Sequence, residues 1–221
     1  MMNTSVIFGN NRINGGFFMK KYLFYLTGIF FLYFMFFCFF CYQNTNETVQ
    51  SLSNKLLRFH VIANSDSGID QSRKLQLKSY LVETLRPYMK DFTNSDDATN
   101  WVNYHLPFIQ NLSENFLHQP VEVCCTTSYF PIKTYGNYTF PPGNYNALQV
   151  RIGKSLGKNW WCVMYPSLCF TDETDASFPK ESEKKLRDSL SLTELKDLKN
   201  PLTLRWKIAE VVDKILTVPS V

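Results

Sequence analysis

The cysteines are the first residues of this sequence whose types and spacing suggest chemistry, either as disulfides or as metal ligands. Cys162 and Cys169 would be about 23 Å apart on a straight strand, so they can bond only if the chain turns between them. Such a disulfide would contribute roughly 2.5 kcal/mol, and two buried free thiols are the alternative. Cys124 and Cys125 point to opposite faces of any strand, so joining them to each other would be strained.

The three histidines do not form a recognisable metal site. His60, His105 and His118 show no metal-ligand spacing with one another or with the cysteines. A lone histidine on a strand, such as His60, is more often a structural hydrogen-bonding group. The sequence therefore predicts neither a metal nor a cofactor.

A hydrolase is the alternative that the residue types leave open. Two Ser-x-x-Lys matches occur, at 155–158 and 182–185, but the Ser-Asp-Asn and Lys-Thr-Gly motifs of penicillin-interacting enzymes are absent. An exported enzyme acting on envelope material would need a dispersed site around His60, Asp66 or Ser155. No motif in the sequence supports that site.

Two other segments carry polar side chains in positions suited to contact with a partner. NSDSGIDQ lies at a predicted strand-to-helix junction, where ordinary helix capping accounts for most of its polar residues. YFPIKTYG lies in a predicted hairpin, whose tip projects outward and suits a contact surface.

An uncharged run at 22–42 determines where the rest of the chain is placed, and it holds eight of the nineteen phenylalanines. As a helix it would span roughly 31 Å, close to the thickness of the bilayer hydrocarbon. Lys20 and Lys21 precede it, which predicts a cytosolic amino end and an exported remainder. We interpret 22–42 as an uncleaved anchor, with a signal peptide as the alternative. Met19 is an alternative start of the chain.

The net charge of +4 comes from 23 basic and 19 acidic residues. Residues 1–21 form a basic cytosolic segment of charge +3, which leaves +1 for 43–221. A nucleic-acid-binding domain would keep its surplus of Lys and Arg on the folded part. We therefore expect no nucleic-acid partner.

Residues 43–54 are polar and predict a tether that leads to a folded domain at 55–170. The domain begins with a strand at 56–64, in which apolar residues alternate with Arg58 and His60. This alternation predicts a half-buried strand.

Helices and further strands follow in the predicted domain. Two amphipathic helices come first, and Pro107 should kink or divide the second. Three strands come next, at 121–130, 145–153 and 159–170. This order predicts a two-layer α+β fold, with helices packed on a largely antiparallel sheet, preceded by one N-terminal membrane helix or signal segment.

The remaining residues, 171–221, predict a charged linker and a C-terminal amphipathic helix. We expect the apolar face of this helix to pack on its own domain, and a membrane or a partner is the alternative. The face comprises Leu204, Ile208, Val211, Val212 and Ile215.

The predicted domain resembles stage II sporulation protein R of endospore-forming bacteria over about 55–170. The resemblance rests on RFHVIANSD, a Lys-rich helix that opens with DQ, YFPIKTYG, FPPGNYNALQVRIG and GKNWWCVMYPSLCF, in that order. It implies intercompartmental signalling by a protein that lies in the forespore membrane or is secreted into the space between forespore and mother cell. There it would activate the membrane-embedded aspartic peptidase that processes the sigma-E precursor.

The family that the chain resembles has no established catalytic residues, so none are assigned to this chain and we do not expect an enzyme. A ligand of this kind acts by binding one state of its partner more tightly than another. We expect Trp160, Trp161, Cys162 and Cys169 to hold the fold. The candidate contact residues are Asn64, Ser65, Asp66, Lys133, Tyr135 and Gly136.

Overall fold

The computed structural model describes residues 15–89, 91–169, 180–200 and 203–216. The chain divides into two compact units between Phe40 and Cys41. This boundary lies inside the first helix, α1 (Gly15–Ser53).

The first part of α1 is an exposed apolar helix. Within Lys20–Ser53, an 18-residue window has a mean hydropathy of 2.2, and none of it is buried. A helix of this length and composition can cross a membrane, and a signal sequence has the same properties. The apolar helix therefore agrees with the anchor or signal predicted at 22–42. Residues 1–14 of the predicted basic segment lie outside the described part.

The second part of α1 differs from the predicted tether, because 43–53 is helical and packs on the domain. Cys41, Thr45, Val49 and Leu52 are buried, and their spacing places them on one helical face. Polar residues outnumber apolar ones in this segment, so its composition indicates a linker while its periodicity provides a packing face.

The domain of the second unit is built on a sheet of four strands, which are β1 (Leu57–Ile62), β2 (Val121–Phe130), β5 (Gly143–Ile152) and β6 (Asn159–Tyr165). A separate hairpin consists of β3 (Lys133–Tyr135) and β4 (Tyr138–Phe140). The order in the sheet is β2-β5-β1-β6. Strand β1 is parallel to β5 and antiparallel to β6, and β2 is antiparallel to β5. The predicted largely antiparallel α+β fold is confirmed.

Strand β1 is central and almost fully buried, so the expected half-buried strand is wrong. Arg58 is 0% exposed and His60 is 4% exposed. Both faces of the sheet are covered at this strand, which is why its two polar residues lie in the interior as well.

Three helices cover one face of the sheet: α2 (Gly68–Met89), α3 (Ser95–Tyr104) and α4 (Leu106–Leu117). Leu77, Leu81 and Leu85 of α2 are buried against sheet residues such as Phe59. Pro107 lies in the first turn of α4, where its missing N–H costs nothing, so the predicted division of this helix is confirmed.

The other face is covered by the β3–β4 hairpin, by the second part of α1 and by helices from the C-terminal region. Its core joins Leu52, Phe140 and Val163 to Trp206. The C-terminal helices are α5 (Lys180–Ser189), α6 (Leu192–Lys199) and α7 (Thr203–Leu216). The domain therefore has a helix-containing layer on each face, one more than the two layers expected.

Helix α7 packs through a different face from the one expected. Trp206 and Ala209 are buried, whereas Val211 is 55% exposed and Ile215 is 68% exposed. The aliphatic residues suggested one face, but Trp206 has the largest apolar surface to remove from water. Side chains 201–205 lie outside the described part, as do residues 170–179 of the predicted linker.

Candidate functional site

The first candidate segment is a loop whose polar groups bond to a second turn of the chain. Asn64 Nδ2 donates to Asp70 Oδ2 over 2.8 Å, and Asn64 Oδ1 accepts the amide of Lys154 at 2.9 Å. Ser65 Oγ donates to the same Asp70 oxygen at 2.5 Å. These bonds from Ser65, and then from Asn64, lower the pKa of Asp70. Asn64 and Ser65 thus act mainly as internal supports of the loop.

Of the three candidate contact residues in this loop, Asp66 is the exposed one. Its Oδ1 accepts the amide of Lys158 at 2.7 Å. Lys74 reinforces the same contact, because its Nζ donates to the carbonyl of Lys158 at 3.0 Å and to Gln71 Oε1 at 2.7 Å. The carboxylate of Asp66 therefore has a fixed position at the surface.

Two glycines allow the 153–158 turn to approach this loop. A side chain at Gly157 would overlap the carbonyl oxygen of Ser65, and one at Gly153 would overlap Asn64 Oδ1. Gly153 also has a φ of +55°, which disfavours other residues. We call the surface formed by 64–68 and 153–158 the paired-turn surface.

The second candidate segment lies on the β3–β4 hairpin. Gly136 is exposed at its tip with a φ of 52°, and Lys133 is half-buried. Tyr135 points inward, where its hydroxyl donates to the carbonyl of Trp161 at 2.9 Å. Burial in this position raises the pKa of the Tyr135 hydroxyl. The loop of the first candidate segment bonds to two amides of the 153–158 turn, whereas Tyr135 bonds to β6, so different parts of the domain hold the two candidate segments.

The two tryptophans lie on opposite faces of β6. Trp160 meets Phe59 edge to face at 5.6 Å on the side of α2, and Trp161 stacks on His60 at 3.7 Å on the other side. Cys162 and Cys169 are paired, with their Cα atoms 5.6 Å apart. These four residues lie where they can hold the fold.

Arg58 is a buried cation that sequence reasoning missed. Its Nε donates to the carbonyl of Cys162 at 3.0 Å, whereas its Nη1 and Nη2 have no hydrogen-bond partner within the described residues. Its guanidinium instead lies 4.3 Å from the ring of Phe130 and 4.9 Å from that of Tyr145. Aromatic faces take the place of a carboxylate here. The sequence signal for this arrangement was a charged residue in a predicted strand, followed later in the chain by strands rich in aromatic residues.

His60 is a neutral core residue. Burial lowers its pKa to about 4, although the side chain of Asn159, acting as an acceptor for the charged ring, opposes the shift. Its Nδ1 lies 3.0 Å from Gln149 Nε2. Gln149 also neighbours Cys124, whose Sγ lies 3.8 Å from Gln149 Oε1. The ring therefore belongs to a buried polar row across the sheet.

The residues of the alternative hydrolase are not assembled. His60 is held in the core by Gln149 and Trp161, Asp66 bonds to a backbone amide, and Ser155 lies in a turn with a φ of 55°. The described part contains no nucleophile–base pair formed by these three residues. Within the same residues, no group of three or more His, Cys, Asp or Glu could hold a metal.

Fold and site together define a mixed α+β domain behind an apolar helix that can cross a membrane, with hydrogen-bonded polar turns at the surface. The family model for stage II sporulation protein R matches residues 53–175, which include all six strands of the part of the chain that the structure describes. Stage II sporulation protein R of Bacillus subtilis (strain 168) is 32% identical over 176 residues, covering 76% of this chain and 79% of that protein. The chain therefore belongs to the stage II sporulation protein R family, and its role lies in sporulation. No solved structure matches it.

Proposed function

We propose that this chain is a signalling protein that activates the membrane-embedded sigma-E factor-processing aspartic peptidase. Cleavage of the sigma-E precursor in the mother cell would follow from that contact. Membership of the stage II sporulation protein R family carries the proposal, because the match spans the whole sheet. The dispersed positions of His60, Asp66 and Ser155 support a binding role over a hydrolytic one.

We further propose that the domain reaches its partner from outside the cytoplasm, in the forespore membrane or in the space between forespore and mother cell. Lys20 and Lys21 before the apolar helix support this orientation. The mass of the membrane-extracted protein tests it. A product that retains 22–42 is expected, and a mature start near 43 would contradict the anchor.

Asp66 is the residue of the paired-turn surface best placed for direct contact. Its carboxylate is exposed and held by the Lys158 amide, so binding it requires little ordering of the side chain. Asn64 and Ser65 act as positioning residues. On the hairpin, Lys133 and Gly136 would contribute a second contact, with Tyr135 fixing the hairpin to β6.

The test is co-expression of the full chain, the peptidase and the sigma-E precursor in a host that lacks all three. Asp66→Ala should lower precursor cleavage about tenfold, which corresponds to a contact of about 1.4 kcal/mol. Asp96→Ala is the matched control, because Asp96 is equally exposed but lies on α3. Asp66→Ala also loses the bond to the Lys158 amide, so its melting temperature should fall by a few degrees, and cleavage is compared at a temperature at which both variants are folded.

Two outcomes would defeat the proposal. Precursor cleavage that proceeds without this chain would remove the activating role. Loss of a hydrolytic activity on envelope material after alanine replacement of His60, Asp66 and Ser155 would favour the enzyme instead.

A further inference from the structure

The four-stranded sheet has two edges, and the β6 edge is closed. The carbonyl of Trp161 accepts the Tyr135 hydroxyl at 2.9 Å. Two residues further, the carbonyl of Val163 accepts the amide of Leu168 at 3.1 Å. The hairpin and the 166–169 turn therefore occupy these two outward carbonyls of the strand.

The β2 edge is different, and the ladder shows which of its groups face outward. The amide of Gly153 donates to the carbonyl of Pro120 at 3.1 Å, one position beyond the Val121–Ile152 pair. Residues that face the partner strand alternate with residues that face away. Val121 therefore faces away, and its amide does bond outward, to Glu114 Oε1 at 3.4 Å.

The same alternation directs the backbone of Val123, Cys125 and Thr127 outward. None of these amides or carbonyls has a partner among the described residues. Proteins usually protect such an edge with Lys, Pro or a bulge. The segment 123–128 has neither Lys nor Pro, its ladder to β5 is uninterrupted, and Thr126 and Thr127 are both exposed.

We infer that this edge pairs with the β2 edge of a second copy of the chain. The three open positions are symmetric about Cys125, so an antiparallel copy places Cys125 opposite Cys125 and Val123 opposite Thr127. No like charges meet, because Glu122 would lie opposite Ser128. The result is a continuous eight-stranded sheet with self-complementary strands.

A short strand pair is sufficient to join two copies of the chain when both are anchored in one membrane. The apolar part of α1 can cross a membrane, and confinement to a membrane raises the effective concentration of each copy for the other. The contact is therefore expected on vesicles and should weaken strongly when the protein is diluted in detergent.

Oxidative cross-linking of the full chain in phosphatidylethanolamine and phosphatidylglycerol vesicles tests the pairing. Cys38 and Cys41 are replaced by Ser, together with either Cys124→Ser or Cys125→Ser, while the Cys162–Cys169 pair remains. Directly opposed residues in a hydrogen-bonded pair have Cα atoms about 5.5 Å apart, and diagonal ones about 7–8 Å. Because disulfides need Cα separations below about 6.8 Å, the chain that keeps Cys125 should form dimers at least about tenfold faster.

A second variant tests the edge without relying on thiol reactivity. Thr127→Pro removes an outward amide and leaves the ladder to β5 intact, so cross-linking through Cys125 should fall about tenfold. Should this variant unfold, Thr127→Lys serves the same purpose, with the exposed Thr134→Lys on β3 as its matched control.

Several results would overturn the pairing. The first is a chain that keeps Cys124 and cross-links as fast as the chain that keeps Cys125. The others are the absence of dimers on vesicles and cross-linking that is unchanged by Thr127→Lys in a folded chain. If the edge instead binds an extended segment of another protein, no dimers would form on vesicles.

Discussion

Arg58 and His60, the two polar residues of the buried strand β1, show how the domain tolerates polar side chains in its core. Arg58 is matched by aromatic rings, and His60 is kept uncharged between Trp161 and Gln149. A buried cation without a carboxylate is costly unless its remaining contacts are favourable. The strand therefore depends on protonation state as well as on shape.

At this scale we predict a pH dependence of stability that belongs to His60. Its pKa is 6.5 in the unfolded chain and about 4 in the folded one, so the unfolded state binds the proton more readily. Stability should therefore fall as the pH drops from about 6.5 to 4, by about 3 kcal/mol from this residue. Urea unfolding at a series of pH values, compared between the parent and His60→Gln, isolates this contribution.

The control for this prediction is His118→Asn, because His118 is exposed and Asn tolerates its left-handed conformation. This variant should keep the full pH dependence of the parent. A His60→Gln curve parallel to that of the parent between pH 4 and 6.5 would show that the ring takes up its proton as readily in the folded chain as in the unfolded one.

At the scale of a single element, the second part of α1 is held in place by a carboxylate on α6. Glu194 bonds to Lys55 Nζ at 2.7 Å and to Ser51 Oγ at 2.5 Å. Glu194 also completes a capping box with Ser191, because its carboxylate accepts the Ser191 amide at 2.7 Å and its own amide donates to Ser191 Oγ at 3.3 Å. Burial opposes ionisation of Glu194, but these hydrogen bonds outweigh it and hold its pKa at about 2.

The element-scale prediction is that Glu194→Gln loosens the end of α1. Amides of 45–53 should exchange with solvent about tenfold faster, since about 1 to 2 kcal/mol of attachment is lost. The same attachment should weaken in the parent as the pH falls from 4.5 towards 2, because the folded pKa lies below the unfolded one.

Hydrogen exchange measured by mass spectrometry checks both statements about Glu194. Glu181→Gln is the matched control, an exposed glutamate in the first turn of α5. Unchanged exchange at 45–53 in the Glu194 variant would mean that apolar packing alone holds the helix.

At the scale of the whole molecule, local sequence patterns predicted where helices and strands lie, but they did not predict which strands pair. The bounds 121–130 of β2 and the break at Pro107 follow from alternation and from the missing proline N–H, both of which act locally. The parallel pairing of β1 with β5 joins residues about ninety positions apart, and no local period encodes it. The bonds of the paired-turn surface likewise require Gly157 to meet Ser65, an approach that exists only in the folded chain.

The boundary of the folded unit tests this difference between local and long-range information. A chain that starts at Cys41 should unfold cooperatively with the stability of the full chain, because its core is closed within that unit. A chain that starts at Lys55, where composition places the domain boundary, loses the buried Val49 and Leu52. It should be less stable by about 3 to 6 kcal/mol, as measured by urea unfolding followed by tryptophan fluorescence. Equal stability of the two chains would mean that 41–54 is the tether its composition suggests.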